Sequence, residues 1–131
     1  MEDGTDQDLL TAELERLGSS AAILRLTGEV DISSAHLLTT QFKTVTRDGL
    51  GSLVIDATGV TFMDSTGLHA LVEGKRMVHH NGTQIVLVPS RQVRRVLELV
   101  FPEPLFAARV DTVEEALARL DGAVERVGDI D

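Results

Sequence analysis

The chain has no cysteine, no tryptophan and no tyrosine, and only three prolines in 131 residues. Without cysteine, disulfides, thiolate metal sites and Cys nucleophiles are excluded. The aromatic residues are four Phe, so a core has to be aliphatic, built from Leu, Val, Ile and Ala. No apolar run approaches the ~18 residues that suggest a membrane span. The start, Met1-Glu2-Asp3-Gly4, is acidic, whereas a secretory signal opens on basic residues followed by an apolar run. The expectation is a cytoplasmic protein with no membrane span, one domain over residues 1–131.

Basic charge is scarce as well. The formal net charge is −9, and it is unevenly placed. Residues 1–16 carry six acids against one Arg, and residues 111–131 carry seven acids against two. Residues 75–109 are mildly basic, at net +4. A nucleic-acid binder presents a dominant basic face with aromatics between its charges. Here the total has the wrong sign for phosphate and the aromatics are missing, so no nucleic acid is expected as a partner.

What is present is a regular alternation of short apolar runs and amphipathic stretches. Residues 10–15 alternate apolar and polar as a half-buried strand does, although their Glu and Leu content also suits a helix. After the turn Gly18-Ser19-Ser20, residues 22–26 read as a strand that pairs back as a hairpin. Ser33-Ser34 can cap a helix over 34–47, with Ala35, Leu38, Phe42 and Val45 on one face. Residues 52–56 form a buried strand, and Thr61-Phe62-Met63 a further short apolar piece. A helix follows to about His80, where Asn81-Gly82 stops it. Residues 84–88 are the clearest strand and are expected inside the sheet. Ser90 caps a helix faced by Val93, Val96, Leu97 and Val100. Ala108-Arg109-Val110 suggests a brief strand, and Thr112-Val113-Glu114-Glu115 is a capping box. The order β-β-α-β-α-β-α-β-α predicts an α/β fold. A mixed, mostly parallel sheet of four to five strands carries about four helices, with a core over about 10–120 and frayed acidic ends. Function is expected on the loops that leave the C-terminal ends of the parallel strands.

Two segments fall on such loops. In Asp64-Ser65-Thr66-Gly67, Asp64 suits a helix N-cap. Ser65 and Thr66 then lie in the first turn, where free N–H groups and the helix dipole favour an anion. Gly67 removes a side chain where something approaches closely. Asp-Ser-Thr-Gly is also an ordinary cap-and-turn composition, so composition alone leaves both readings open. Asp31 is either a loop acid that caps the next helix or a surface acid beside Ser65.

Other chemistries fail on the residues. A nucleophile elbow requires Gly-x-Ser-x-Gly, and Met63 stands where its first Gly belongs. A phosphoacceptor-aspartate receiver needs an acidic cage for Mg²⁺ and a late Lys, and no Lys follows Lys75. No P-loop pattern occurs. His79 and His80 are adjacent and point apart on a helix, while His36 and His69 have no ligand at helical spacing, so no metal is expected. Arg91, Arg94 and Arg95 lie off the apolar face of their helix, as a solvated face does.

Residues 22–31, closing on Gly28-Glu29-Val30-Asp31, resemble the opening of a STAS domain. Leu53-Val54-Ile55-Asp56 and Val60-Thr61-Phe62-Met63-Asp64-Ser65-Thr66-Gly67-Leu68 resemble that family's signature segment, and residues 82–88 and 93–97 follow suit. The resemblance spans about residues 10–120 and is strongest to stand-alone anti-sigma factor antagonists. With triad, P-loop and metal cage all missing, no enzyme activity and no cofactor are expected. The resemblance places the phosphorylated serine on Ser65, with Thr66 as the alternative, and partner contacts on Asp31, Asp64, Thr66 and Gly67. The implied partners are an anti-sigma factor that is itself a serine kinase, and a phosphatase that resets the cycle. A STAS subunit of another assembly, a stressosome component or an accessory subunit of a lipid-transport ATPase, is the alternative.

Overall fold

The computed structural model describes residues 9–100 and 110–120. The strands are β1 (Thr11–Leu17), β2 (Ala21–Val30), β3 (Ser52–Met63) and β4 (Gln84–Pro89). The helices are α1 (Ala35–Arg47), α2 (Ser65–His80), α3 (Arg91–Val100) and α4 (Val113–Arg119). They form one mixed sheet in the order β1-β2-β3-β4. β1 runs antiparallel to β2, with Leu14 opposite Leu24, so the strand reading of this segment holds over the helical one. The remaining pairs are parallel.

Three local expectations are corrected. Residues 52–56 and 61–63 belong to one strand, which bulges twice against β2, between the partners of Arg25 and Thr27 and between those of Gly28 and Glu29. The first bulge explains why Asp56-Ala57-Thr58-Gly59 reads as a turn. The Asp56 carboxylate accepts from the Thr58 N–H at 3.1 Å and from its hydroxyl at 2.7 Å, as an Asx turn does. A Cβ on Gly59 would lie only 3.0 Å from Thr27 Oγ1. Secondly, β4 is an edge strand among the described residues, not an interior one. Its Leu87 carbonyl accepts from the Val110 N–H at 3.1 Å, so the chain does return to that edge. Ala108 and Arg109, on which a fifth strand was expected, lie outside the described residues, and Val110 is not in a strand. Thirdly, Ser34 stands at the N-cap position of α1 but makes no side-chain cap.

Alternation along the strands sorts the core into two layers. Leu24, Leu26, Leu53, Ile55 and Leu87 face α1 and α2, where they meet Leu38, Phe42, Val45, Leu71 and Val78. Val93 and Leu97 of α3 join the same layer. On the other side, Ile23, Val54, Val86 and Val88 pack against Val110, Ala116 and Leu120. α1 and α2 approach so closely that a Cβ on Gly74 would overlap the Phe42 ring. Phe42 is fully buried there. The two helices therefore interlock, a large side chain into the space a glycine leaves, and this sets α2 close against α1.

Candidate functional site

Val30 and Met63, the last residues of β2 and β3, are direct partners in the parallel register. The chain leaves both strands at the same level of the sheet, and each exit begins with an aspartate. The Asp64 N–H donates to the Val30 carbonyl at 3.2 Å, which ties the two exits together.

After β3 the helix starts at once. Asp64 is extended, at φ −96° and ψ −173°, and its carboxylate accepts from the Gly67 N–H at 2.9 Å. The Asp64 carbonyl accepts from the Leu68 N–H at 2.9 Å, closing the first turn. Asp64 is thus an N-cap, as expected. Ser65 is the first helical residue and is exposed, Thr66 is half-buried and Gly67 is buried. With the Asp64 carboxylate on Gly67, the N–H groups of Ser65 and Thr66 have no hydrogen-bond partner among the described residues, as donors at a helix start do. Gly67 is required by packing: a Cβ there would overlap the Val30 carbonyl oxygen and lie 2.8 Å from Val30 Cγ1.

After β2 the chain makes a tied turn before its helix. The Asp31 carboxylate accepts from the Ser33 N–H at 3.0 Å and the Ser33 hydroxyl at 2.7 Å, with the Ser34 hydroxyl 3.1 Å away. The Ser34 hydroxyl also accepts from the Asp31 N–H at 3.0 Å and lies 2.9 Å from the Glu29 carbonyl. The Asp31 carbonyl takes the N–H groups of Ser34 and Ala35. These donors, the Ser33 hydroxyl foremost, hold the Asp31 carboxyl below its ordinary range, against a smaller opposing effect of burial. Asp31 therefore organises its own loop, and the Ser34 hydroxyl turns back to the strand end instead of forward to the helix.

All five expected site residues meet at one edge: Asp31 on one exit, and Asp64, Ser65, Thr66 and Gly67 on the next. The electrostatics there are one-sided. Residues 26–42 and 57–74 contain Glu29, Asp31, Asp64 and Glu73 but no Lys or Arg. The sequence reading passed over Ile32, which is 78% exposed between Asp31 and Ser33. An Ile inside a Ser- and Asp-rich turn is the signal that would have marked it. Elsewhere, His36, His69, His79 and His80 are exposed, and Arg94 pairs with Asp111 at 2.7 Å. Among the described residues no three His, Asp or Glu side chains are grouped to hold a metal, and no helix is long and apolar enough to cross a membrane.

A four-stranded mixed sheet with a helix-start serine at its C-terminal edge defines a small α/β module. The chain belongs to the STAS domain family, whose pattern it matches over residues 12–116. Its fold is that of stand-alone anti-sigma factor antagonists. It is similar to the anti-sigma factor antagonist SpoIIAA in its unphosphorylated form, at 24% identity and a TM-score of 0.71 over 86% of this chain and 97% of that one. An anti-sigma factor antagonist from Mycobacterium paratuberculosis is similar at 26% identity and a TM-score of 0.71, covering 86% and 94% of the two chains. The Bacillus cell fate determinant SpoIIAA in its phosphorylated form matches at 23% identity and a TM-score of 0.65, over 84% and 99%.

Proposed function

We propose that this chain is a cytoplasmic anti-sigma factor antagonist without catalytic activity, and that phosphorylation of Ser65 switches it off. The observation that carries the reading is Ser65 itself: an exposed hydroxyl on the first residue of a capped helix. A kinase can reach it, and free helix-start N–H groups and the dipole accommodate the phosphate within this protein. The unphosphorylated chain binds an anti-sigma factor that is also a serine kinase, and so releases a sigma factor for transcription. Transfer of the γ-phosphoryl group of ATP to the Ser65 hydroxyl, with ADP leaving, then adds roughly −1.5 to −2 charges at one point. That charge lies beside Asp64 and next to the Asp31 loop, and residues 26–42 and 57–74 around them carry no Lys or Arg. A partner fitted to the bare hydroxyl would have to bury it unpaired, so the complex dissociates. A phosphatase restores the hydroxyl. Asp31, Asp64, Thr66 and Gly67 frame the contact, and Thr66 is the alternative acceptor.

The test is co-elution with the anti-sigma factor, with and without ATP, followed by mass spectrometry of the released chain. Wild type should be released carrying phosphate on Ser65, and Ser65→Ala should remain bound. Phosphate on Thr66 alone moves the site by one residue. Equal affinity of the phosphorylated and Ala forms removes the mechanism.

A further inference from the structure

Single exposed apolar side chains are common and by themselves mean little. Ile32 differs in where and how it is held. It crowns the turn that Asp31 ties through Ser33 and Ser34, and the N–H groups of Ser34 and Ala35 both donate to the Asp31 carbonyl. The residue is therefore presented on a hydrogen-bonded turn, which lowers the backbone freedom lost when something covers it. Leu37, one turn into α1, adds a second apolar surface at 38% exposure. The exit carrying Ile32 is bonded to the exit carrying Ser65 through the Asp64 N–H and the Val30 carbonyl.

Charge surrounds this apolar point on one side of the scale. The Asp31 bonds all run to Oδ1, as does the Asp64 bond, so Oδ2 of each carboxylate has no hydrogen bond among the described residues. Burying these oxygens in an interface requires cations from the other side. The surface thus fits a protein patch with an apolar pocket rimmed by Lys or Arg. Those cations are matched by Asp31 and Asp64, leaving none for a phosphate on Ser65.

We propose that Ile32 is the apolar anchor by which the serine-kinase partner docks over Ser65, its side chain filling a pocket with a cationic rim. This deepens the reading given above and rests on it. Ile32 touches the partner and not the transferred phosphate, so it sets binding and not the chemical step.

The probe is a purified anti-sigma factor with serine-kinase activity. Binding by titration calorimetry and steady-state phosphorylation are measured for wild type, Ile32→Ser and Ile32→Met. Ile32→Ser should weaken binding by about 20-fold or more, as loss of an apolar anchor does. It should raise KM for phosphorylation while leaving kcat in place. Ile32→Met should stay within about threefold of wild type, because the pocket asks for apolar volume. Both variants should keep the wild-type melting midpoint, which separates docking from folding. Wild-type binding should weaken with added salt. An Ile32→Ser chain that binds and is phosphorylated like wild type overturns the anchor alone. A wild-type chain that the kinase neither binds nor phosphorylates on Ser65 overturns the functional reading and the anchor together.

Discussion

The exits from β2 and β3 are built from the same parts and end in opposite states. Each begins with an aspartate one residue past a strand, at positions whose predecessors, Val30 and Met63, are direct partners. Each places serine close behind. After β2, three residues separate Asp31 from the helix, and the carboxylate spends itself on Ser33 and Ser34. After β3, none does, so Asp64 is the cap and its carboxylate reaches a backbone N–H. The Ser33 and Ser34 hydroxyls are consumed in holding a turn, while that of Ser65 is left outside. Whether a serine is structural or available depends on where the helix begins, not on its neighbours in sequence.

The contrast is most exposed to test at the two serine positions. Ser65→Glu should weaken anti-sigma factor binding by about 2–5 kcal/mol, on the order of 30- to several-thousand-fold, with the fold retained. Calorimetry gives the affinity and circular dichroism the fold. If Ser65→Glu binds like wild type, the hydroxyl is not the contact.

Gly67→Ala should come next, as a loss of stability of about 1–3 kcal/mol from overpacking. Its Cβ would be driven into the Val30 carbonyl and Val30 Cγ1, both parts of a fully buried strand end. Urea unfolding measures it, and an unchanged midpoint would mean that the two exits are not in contact. Asp64→Ala and Ser34→Ala should each cost about 1 kcal/mol, the first as a lost helix cap and the second as a buried hydroxyl removed from its partners. They differ in the second readout: Asp64→Ala should disturb phosphorylation of the adjacent serine, and Ser34→Ala should leave kcat for it unchanged.

The smallest effect is in acid. Asp31 has its carboxyl lowered in the fold, chiefly by the Ser33 hydroxyl, and Asp48 is lowered by Arg16 and then Arg47. A group depressed in the folded state stabilises above its unfolded pKa, the ordinary carboxylate value of about 4. That contribution is lost as pH falls through the lower folded value. Melting midpoints should therefore be level above about pH 5 and decline below about pH 4. Asp31→Asn should flatten the decline, whereas a variant as acid-sensitive as wild type would show the turn to be held by its backbone alone.

Much of this was legible in the residues. The β-α alternation, the helix faces and the Asp64 cap follow from periodicity and capping chemistry, which act within a few residues. The STAS assignment rested on the segments around Asp31 and Ser65. What was not legible depended on contacts distant in sequence. Asp56 to Gly59 has the chemistry of a turn, and only its pairing with β2 keeps it in a strand. The edge position of β4 is a matter of which strands are neighbours, and a run of Ile85, Val86, Leu87 and Val88 reads as interior because both of its faces are covered by packing. Ser34 has the composition of a cap, but the Asp31 N–H and the Glu29 carbonyl compete for it and win.

The Phe42–Gly74 interlock bears on what kind of device this is. With the ring seated where a helix side chain would stand, α2 lies close against α1. Its first turn is a mounting plate, and a mark placed there is displayed at constant coordinates. If Ser65 is phosphorylated as proposed, the mark would be written and erased on a surface already built, with the packing beneath it left as it is.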